Sequence, residues 1–501
     1  MKAEGLDALI NLSARRGIIL PAYSIYGEAA GFYDYGPIGT RIKNNIVAAW
    51  RRHFIEGLGN LEIEATIAGP DKVFEASGHL KTFTDPITVC KKCGASYRVD
   101  KMLAEHYGKT GHVAMAERAK HGTIGDLSSM LGEAGLKCEK CGTALTEVTP
   151  FNLMLGTKLG PTGKVQGYLR PETAQGIFID FKQVYRTNTM KLPMAIGQVG
   201  RVFRNEISPR NMLIRMREFS QMELEYFFDP EEHGALVIDG TIIEDKFLDT
   251  EVNFLTRADQ RGSGPEYRPM MLKEALASGS VPNKLMAYLI YEEQKFLLSI
   301  GFAPESFRFR EMLEDELPHY SKGNVDLEAR LGNGFEELAG NAYRTDFDLK
   351  NHERMSGEDM SVTVNERKFV PHVVEQSFGI DRVFWCLLAN SLYYDDQRGW
   401  EVLALKEGLA PYTYAVFPLQ KDEKLVGMAT GLAKTLKAKG VGAYYSATAS
   451  IGKRYARADE VGVPYAITVD FQSVEDGTVT VRNASDTKQQ RVSINSIEGM
   501  G

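Results

Sequence analysis

The sequence predicts an α+β fold followed by a separate C-terminal α/β domain, and three features of its pattern carry that prediction. Strand signals dominate residues 151–230 and return over 334–404, a helix-rich stretch (231–330) lies between them, and from Pro411 strands and helices alternate. With 501 residues the chain can build several cores at about 150 residues each.

Residues 38–57 place Ile42, Ile46, Trp50 and Phe54 at i+4 steps before Gly57, which predicts an amphipathic helix. Leu61, Ile63, Ala65 and Ile67 then alternate with polar residues, predicting a strand that stops at Gly69-Pro70. Residues 86–150 read as an inserted module with a helical, loosely packed polar middle (101–136). It carries Cys90-Lys91-Lys92-Cys93 and Cys138-Glu139-Lys140-Cys141, each pair followed by glycine. In a reducing compartment two such pairs suit the tetrahedral thiolate shell of one structural Zn²⁺, the glycines allowing a tight turn around the metal. A redox motif would need only one pair. Cys386, inside the apolar run 383–388, reads as core.

The clearest helix of the 231–330 stretch runs from Asn283 to Ser299 behind Pro282, and another begins at Ile380. Past Pro411 the order is strand (412–417), helix (422–439), strand (443–446), helix (452–461), strand (465–470) and two short strands, which predicts a largely parallel sheet. Residues 411–501 hold 11 Lys/Arg against 9 Asp/Glu in a chain of net charge −7, so a polyanion partner is expected at the tail. Glu4, Asp7, Arg15 and Arg16 interrupt the first twenty residues, unlike a secretory signal. No apolar run reaches the roughly 20 residues of a spanning helix, so a cytoplasmic protein with no membrane partner is expected.

Residues 200–228 predict an antiparallel hairpin. Period two sets Ile214, Met216, Met222, Leu224 and Tyr226 on one face of its second strand, and Arg215, Arg217, Phe219, Gln221, Glu223 and Glu225 on the other. Arginines beside one aromatic ring and nearby carboxylates suit a nucleotide, with guanidinium groups for phosphates, the ring for a base and carboxylates for an amine. For one strand alone, a polar face kept for solubility explains the same alternation. At 373–382 an apolar strand turns at Gly379 into a helix with Arg382 in its first turn, where the macrodipole disfavours a cation. Either a bound anion or a carboxylate partner resolves that conflict.

Arg204-Asn205-Glu206 with Arg215-x-x-x-Phe219 resembles motif 2 of the class II aminoacyl-tRNA synthetases, and Gly379-x-Asp381-Arg382 resembles motif 3. Residues 38–70 are similar in shape to motif 1. The runs from Gly31 to Pro37, Ser77 to His79, Arg170 to Gly176 and Arg204 to Arg210, with Glu375-x-Ser377, resemble the dimeric glycyl-tRNA synthetases, whose archaeal-like members carry zinc knuckles. The run from Ser450 to Glu460 is similar to the anticodon-binding domain shared with the histidine, proline and threonine enzymes.

The resemblance implies a class II synthetase antiparallel-sheet catalytic domain made of residues 1–85, 151–230 and 331–404. A zinc-knuckle module (86–150) and a helical insertion (231–330) would interrupt it, and an anticodon-binding domain (411–501) would follow. It further implies glycine, ATP and tRNA(Gly) as substrates, Mg²⁺ beside the ATP, zinc on the four paired cysteines, and a homodimer. For ATP it implies Arg204 on the α-phosphate, Arg215 and Arg382 on the γ-phosphate, Glu206 on the adenine amine, Phe219 stacked on adenine and Glu337 acting through Mg²⁺. Asn205, Ile214, Arg217, Leu338, Gly379 and Asp381 complete that set. Around glycine it implies Arg98, Glu172, Gln221, Glu223, Glu375 and Ser377, with Phe219 and Gly379 alongside. Arg344 is either a further residue near the adenylate or a structural ion pair. Lys453, Arg454 and Arg457 face tRNA phosphates on this reading, with Tyr455 stacking on a base. Gln376 stands where many members have proline. Two other readings fit the same pattern: another class IIa synthetase, or a non-catalytic RNA-binding accessory protein, which would usually have lost Arg204, Arg215 and Arg382.

Overall fold

The computed structural model describes all residues except 1–2, 28, 189–190, 210, 233, 263, 319 and 499–501. At its centre lies a nine-stranded sheet. In chain order its strands are β1 (Leu61–Glu62), β2 (Met194–Phe203), β3 (Glu218–Phe228), β4 (Glu251–Leu255), β5 (Arg268–Met271), β6 (Phe307–Glu311), β7 (Asn324–Leu331), β8 (Gly334–Thr345) and β9 (His372–Gly379). Their spatial order is β5-β4-β6-β7-β8-β9-β3-β2-β1, antiparallel except at β4/β6 and β2/β1.

Four of these strands (β4 to β7) come from residues 231–330, so the reading of that stretch as a helical insertion is corrected. It extends the central sheet, and its helix Lys284–Ile300 packs behind the sheet with Asn283 capping Met286 N. The alternation in Phe307-Arg308-Phe309-Arg310 was the available strand signal, with Phe307 and Phe309 buried.

Helix α1 (Pro37–Trp50) starts with proline at its first position, and Ile42, Ile46 and Trp50 are fully buried against the sheet. The helix predicted to continue to residue 57 widens into a π turn over Arg51–Glu56, with Gly57 N bonded to Arg52 O. Phe54 stays in the core. The strand predicted over 61–67 is interrupted: only β1 joins the central sheet, while Ala68–Pro70 pairs in another. Between them side chains replace the ladder, since Gln198 Oε1 accepts from Ala65 N at 2.8 Å and Arg170 donates to Ala65 O at 3.0 Å.

One face of the central sheet is apolar and covered by α1, helix α2 (Ile380–Ser391) and Lys284–Ile300. Met222, Leu224 and Tyr226 of β3 lie there, fully buried. On the opposite face, Ile177, Phe178 and Phe181 of Ala174–Thr187 cover the lower half together with Leu349 of Phe347–Ser356, leaving the upper half open as a cavity.

The cysteine module runs from Thr84–Val89 to Thr149–Asn152, strands that pair with each other. Its helices Val99–Lys109, Val113–His121 and Ile124–Ala134 enclose a small core with Leu103, Leu127 and Met130 buried, so the middle is packed rather than loose. The tail domain has a five-stranded sheet in the order Ala443–Tyr445, Tyr414–Pro418, Tyr465–Val469, Thr478–Asn483, Gln489–Ser493. Its first two pairings are parallel and its last two antiparallel, so the largely parallel sheet expected is a mixed one. Among the described residues no helix is long and apolar enough to cross a membrane.

Candidate active site

The open half of the polar face is a cavity of about 420 Å³. Phe219 enters it from β3, Arg204 from the turn after β2, Arg382 from the first turn of α2, and Glu337 from β8. Arg204, Glu206, Ile214, Arg215, Gly379 and Asp381 all border this one space. Arg204 donates Nε to Pro171 O at 3.2 Å, and its guanidinium lies 5.4 Å from the Phe83 ring and 5.3 Å from that of Phe219. Those contacts orient a cation into the cavity at little entropic cost.

Arg382 donates to Ile214 O at 3.3 Å and Glu337 O at 3.1 Å, and pairs with the Glu337 carboxylate at 3.1 Å. The carboxylate partner therefore resolves the unfavourable helix start in the free protein. Arg382 also holds the Glu337 carboxyl below its ordinary range, against the effect of burial. Burial pushes Asp326 up to about 7, with Glu337 adding to the rise.

The same cavity is also lined by three further carboxylates, Glu172, Glu223 and Glu375. Glu223 accepts from Ser377 Oγ at 2.6 Å and from the Thr173 hydroxyl. Glu375, two residues before Ser377 on β9, pairs with Arg344. Burial raises Glu375 to about 7 although Arg344 opposes the rise, and burial likewise raises Glu223. At Glu172 burial is overcome by His79 and Arg344, which hold the carboxyl well below its usual range. Gln221 Nε2 donates to Ser377 Oγ at 3.2 Å, while its buried Oε1 finds no partner among the described residues. An orphaned acceptor beside three carboxylates fits a small ammonium ion. Arg98 reaches the rim, held by Asp85 at 3.0 Å and by Asp100.

Several residues singled out in the sequence lie elsewhere or do other work. Arg217 does not line the cavity: it donates to Glu206 O and Ala30 O, both at 3.0 Å, tying the hairpin loop to the segment before Gly31. Leu338 points into the core, as its alternation against Glu337 on β8 requires. Asn205 is also off the cavity lining, its N–H bonded to Leu153 O. Arg344 is the structural ion pair, 2% exposed and joined to Asp348, Glu375 and Glu172. Arg454 is turned inward onto Pro418 O, Leu419 O and Ser446 O, and the Tyr455 hydroxyl bonds Thr468, so neither is free for RNA. Lys453 is exposed and Arg457 half-buried. Arg210 lies outside the described residues.

Tyr320, not singled out in the sequence, lines the cavity, while Thr173, His79 and Asp348 stand behind it, in contact with Glu223, Glu172 and Arg344. His79 Nδ1 meets Ser77 Oγ at 2.7 Å and its Nε2 lies 3.5 Å from Glu172, which gives the Ser77-Gly78-His79 run a physical role. Gly31 is required twice over, by φ +79° and because an added Cβ would stand 2.7 Å from Pro209 of the hairpin loop.

The four paired cysteines place their sulfurs within 4.8 Å of one another. Sγ separations of 3.4, 3.5 and 3.6 Å are far beyond a disulfide and near the ~3.8 Å edge of a tetrahedron with Zn–S bonds of about 2.3 Å. Gly94 and Gly142 take φ near +70°, the left-handed turn that lets each knuckle close. Tyr97 bonds the Cys138 sulfur at 3.2 Å and lowers its thiol to about 6, the deprotonated state a metal ligand needs. The donor set fits zinc.

Residues 413–500 match the family model for an anticodon binding domain. Among solved structures the chain is similar to a Giardia lamblia prolyl-tRNA synthetase in complex with prolyl-adenylate, at TM-score 0.59 and 14% identity over 99% of this chain and 76% of that one. The glycine-tRNA ligase of Aeropyrum pernix is 35% identical over 99% of this chain and 96% of its own length. That of Pyrococcus horikoshii is 36% identical over 99% and 98%. With both sequences covered almost end to end, the chain belongs to the glycine-tRNA ligase family.

Proposed function

We infer that the chain attaches glycine to tRNA(Gly) at the expense of ATP, through a glycyl-adenylate. The observation that carries this reading is the convergence of Arg204, Arg382 and Phe219 on one cavity that Glu172, Glu223 and Glu375 also line. Glycine's carboxylate attacks the α-phosphorus, the bond to the β-phosphate breaks, and pyrophosphate leaves. The ribose hydroxyl at the tRNA end then takes the glycyl group and AMP leaves. A carboxylate nucleophile needs no base, so alignment and charge stabilisation supply most of the rate. Arg204 stabilises charge on the α-phosphate, Arg215 and Arg382 hold the leaving end, Glu206 meets the adenine amine and Phe219 its ring. Glu337 is the residue for Mg²⁺, which would supply a positive charge for the phosphate oxygens. Cys90, Cys93, Cys138 and Cys141 would hold a structural zinc. A homodimer, as in the dimeric branch of the family, belongs to the same reading.

On this reading Glu223, Glu375 and the Gln221 acceptor take the glycine ammonium, and carboxylates crowding the α-carbon would exclude a larger side chain. The test is amino-acid-dependent ATP–pyrophosphate exchange across all twenty substrates: glycine alone should drive it. Exchange with alanine near the glycine rate would overturn the pocket, since steric rejection by a closed site exceeds the ~1–3 kcal/mol available from recognising a methylene.

Two further outcomes follow from the geometry. Because burial lifts Glu375 to about 7, its charge appears only as pH rises through that value. The KM for glycine should therefore fall several-fold between about pH 6 and about pH 8 while the KM for ATP holds steady. In the tail, Lys453→Glu with Arg457→Glu should raise the KM for tRNA roughly tenfold, with exchange as the tRNA-free control. A variant that charges tRNA normally would remove that helix from the RNA-binding surface.

A further inference from the structure

Asp381, next to Arg382, has both carboxylate oxygens engaged within the protein. Its Oδ2 accepts from Ser220 N at 2.6 Å and its Oδ1 from Tyr35 Oη at 2.5 Å. Pairing between β3 and β9 ends at Gln221 opposite Gly379, so the Ser220 N–H has no strand partner on that side, and the Asp381 carboxylate takes it. Lys43, on α1, completes the arrangement. It donates to Ser220 Oγ at 2.7 Å, lies 3.8 Å from Asp381 Oδ1 and sits 4.6 Å from the centre of the Tyr35 ring. The Lys43 and Asp381 side chains are only 13% and 5% exposed. Tyr35 also packs edge-on against Phe384 of α2, ring centres 5.0 Å apart.

The bonded pair Ser220–Asp381 thus stands one residue from Phe219 on β3 and one residue from Arg382 on α2. We propose that Tyr35 and Lys43 are positioning residues of the ATP site, holding Asp381 so that the stacking ring and the triphosphate-gripping guanidinium keep a fixed separation. Buried ion pairs add little net stability, so the consequence of this network is positional. The inference rests on the function proposed above.

Tyr35→Phe, which deletes one hydroxyl, should raise the KM for ATP in pyrophosphate exchange about tenfold, the scale of one lost hydrogen bond to a charged group. The KM for glycine should stay within about twofold, because Glu172, Glu223 and Glu375 are not anchored by Asp381. In an Arg382→Ala background the same change should alter the KM for ATP by less than about twofold, since the residue it acts through is gone. Equal losses in both backgrounds, parallel rises in both KM values, or no change at all would each overturn the proposal. Should Tyr35→Phe fail to fold, Ser220→Ala carries the same expectations at about threefold, because it removes only the acceptor for Lys43. Absence of glycine-dependent exchange by the unmodified protein would sink the function itself, whereas an active protein indifferent to Tyr35→Phe sinks only this inference.

Discussion

Replacing Arg204 by alanine is expected to cut glycine-dependent ATP–pyrophosphate exchange by about 100-fold or more, the usual loss when one transition-state donor is removed. The guanidinium is oriented before substrate arrives, by Pro171 O on Nε and by the Phe83 and Phe219 rings. Its interaction with the α-phosphate should strengthen as the phosphorus gains its fifth oxygen, so the loss should appear in kcat as well as in kcat/KM. Arg204→Lys should recover only part of it, because an ammonium cannot keep both the carbonyl bond and the ring stacking. The unfolding midpoint should barely move, since among the described residues Arg204 makes no ion pair and its side chain bonds only Pro171 O. Exchange at the normal rate would remove Arg204 from the reaction.

Arg344→Met is expected to be the most destabilising single change at the site, costing about 3–5 kcal/mol, the range for removing one partner of a buried ion pair. Arg344 bonds Asp348 at 2.7 and 3.0 Å, pairs with Glu375, lies 3.7 Å from Glu172 and stacks 4.0 Å from the Tyr320 ring centre. Methionine keeps much of the packing but leaves those three carboxylates without their cation. Burial already raises Glu375 to about 7, and losing Arg344 raises it further. A carboxyl whose folded value lies above its unfolded one favours the fold at low pH and opposes it as pH rises. The deficit relative to the natural protein should therefore be largest above about pH 7 and shrink toward about pH 5. Denaturant titrations at the two pH values check this, and a deficit independent of pH would contradict the charge account. The KM for glycine should rise together with the loss of stability, because Glu375 and Glu172 lose their orientation.

How much of this site could be read in advance depended on whether its residues were close in the chain. The hairpin placed Phe219, Gln221 and Glu223 on one face by period two alone, because a strand of regular geometry alternates whatever surrounds it. Arg217 broke the same rule in function: it lies before the first residue of β3, where backbone carbonyls of residues 30 and 206 claim its guanidinium. Arg454 and Tyr455 looked like an RNA-facing pair on a basic helix, yet one is a buried donor to three carbonyls and the other packs on Phe417. Residues 231–330 hid their strands because short β-segments with charged residues between them have weaker periodicity than the one long helix.

By itself the sequence determined the cysteine knuckles, the polar hairpin face, the turn at Gly379 into a helix bearing Arg382, and the alternating tail. Each is a local pattern whose geometry follows from backbone periodicity or a glycine turn. Tertiary structure alone decided that Arg204 and Arg382 face one cavity, that Arg344 ties three carboxylates together and that Asp381 is bound by Tyr35. It also decided that β4 to β7 join the central sheet. These are pairings across tens to hundreds of residues, set by strand register and by which buried charges must find partners, and no local spacing encodes them.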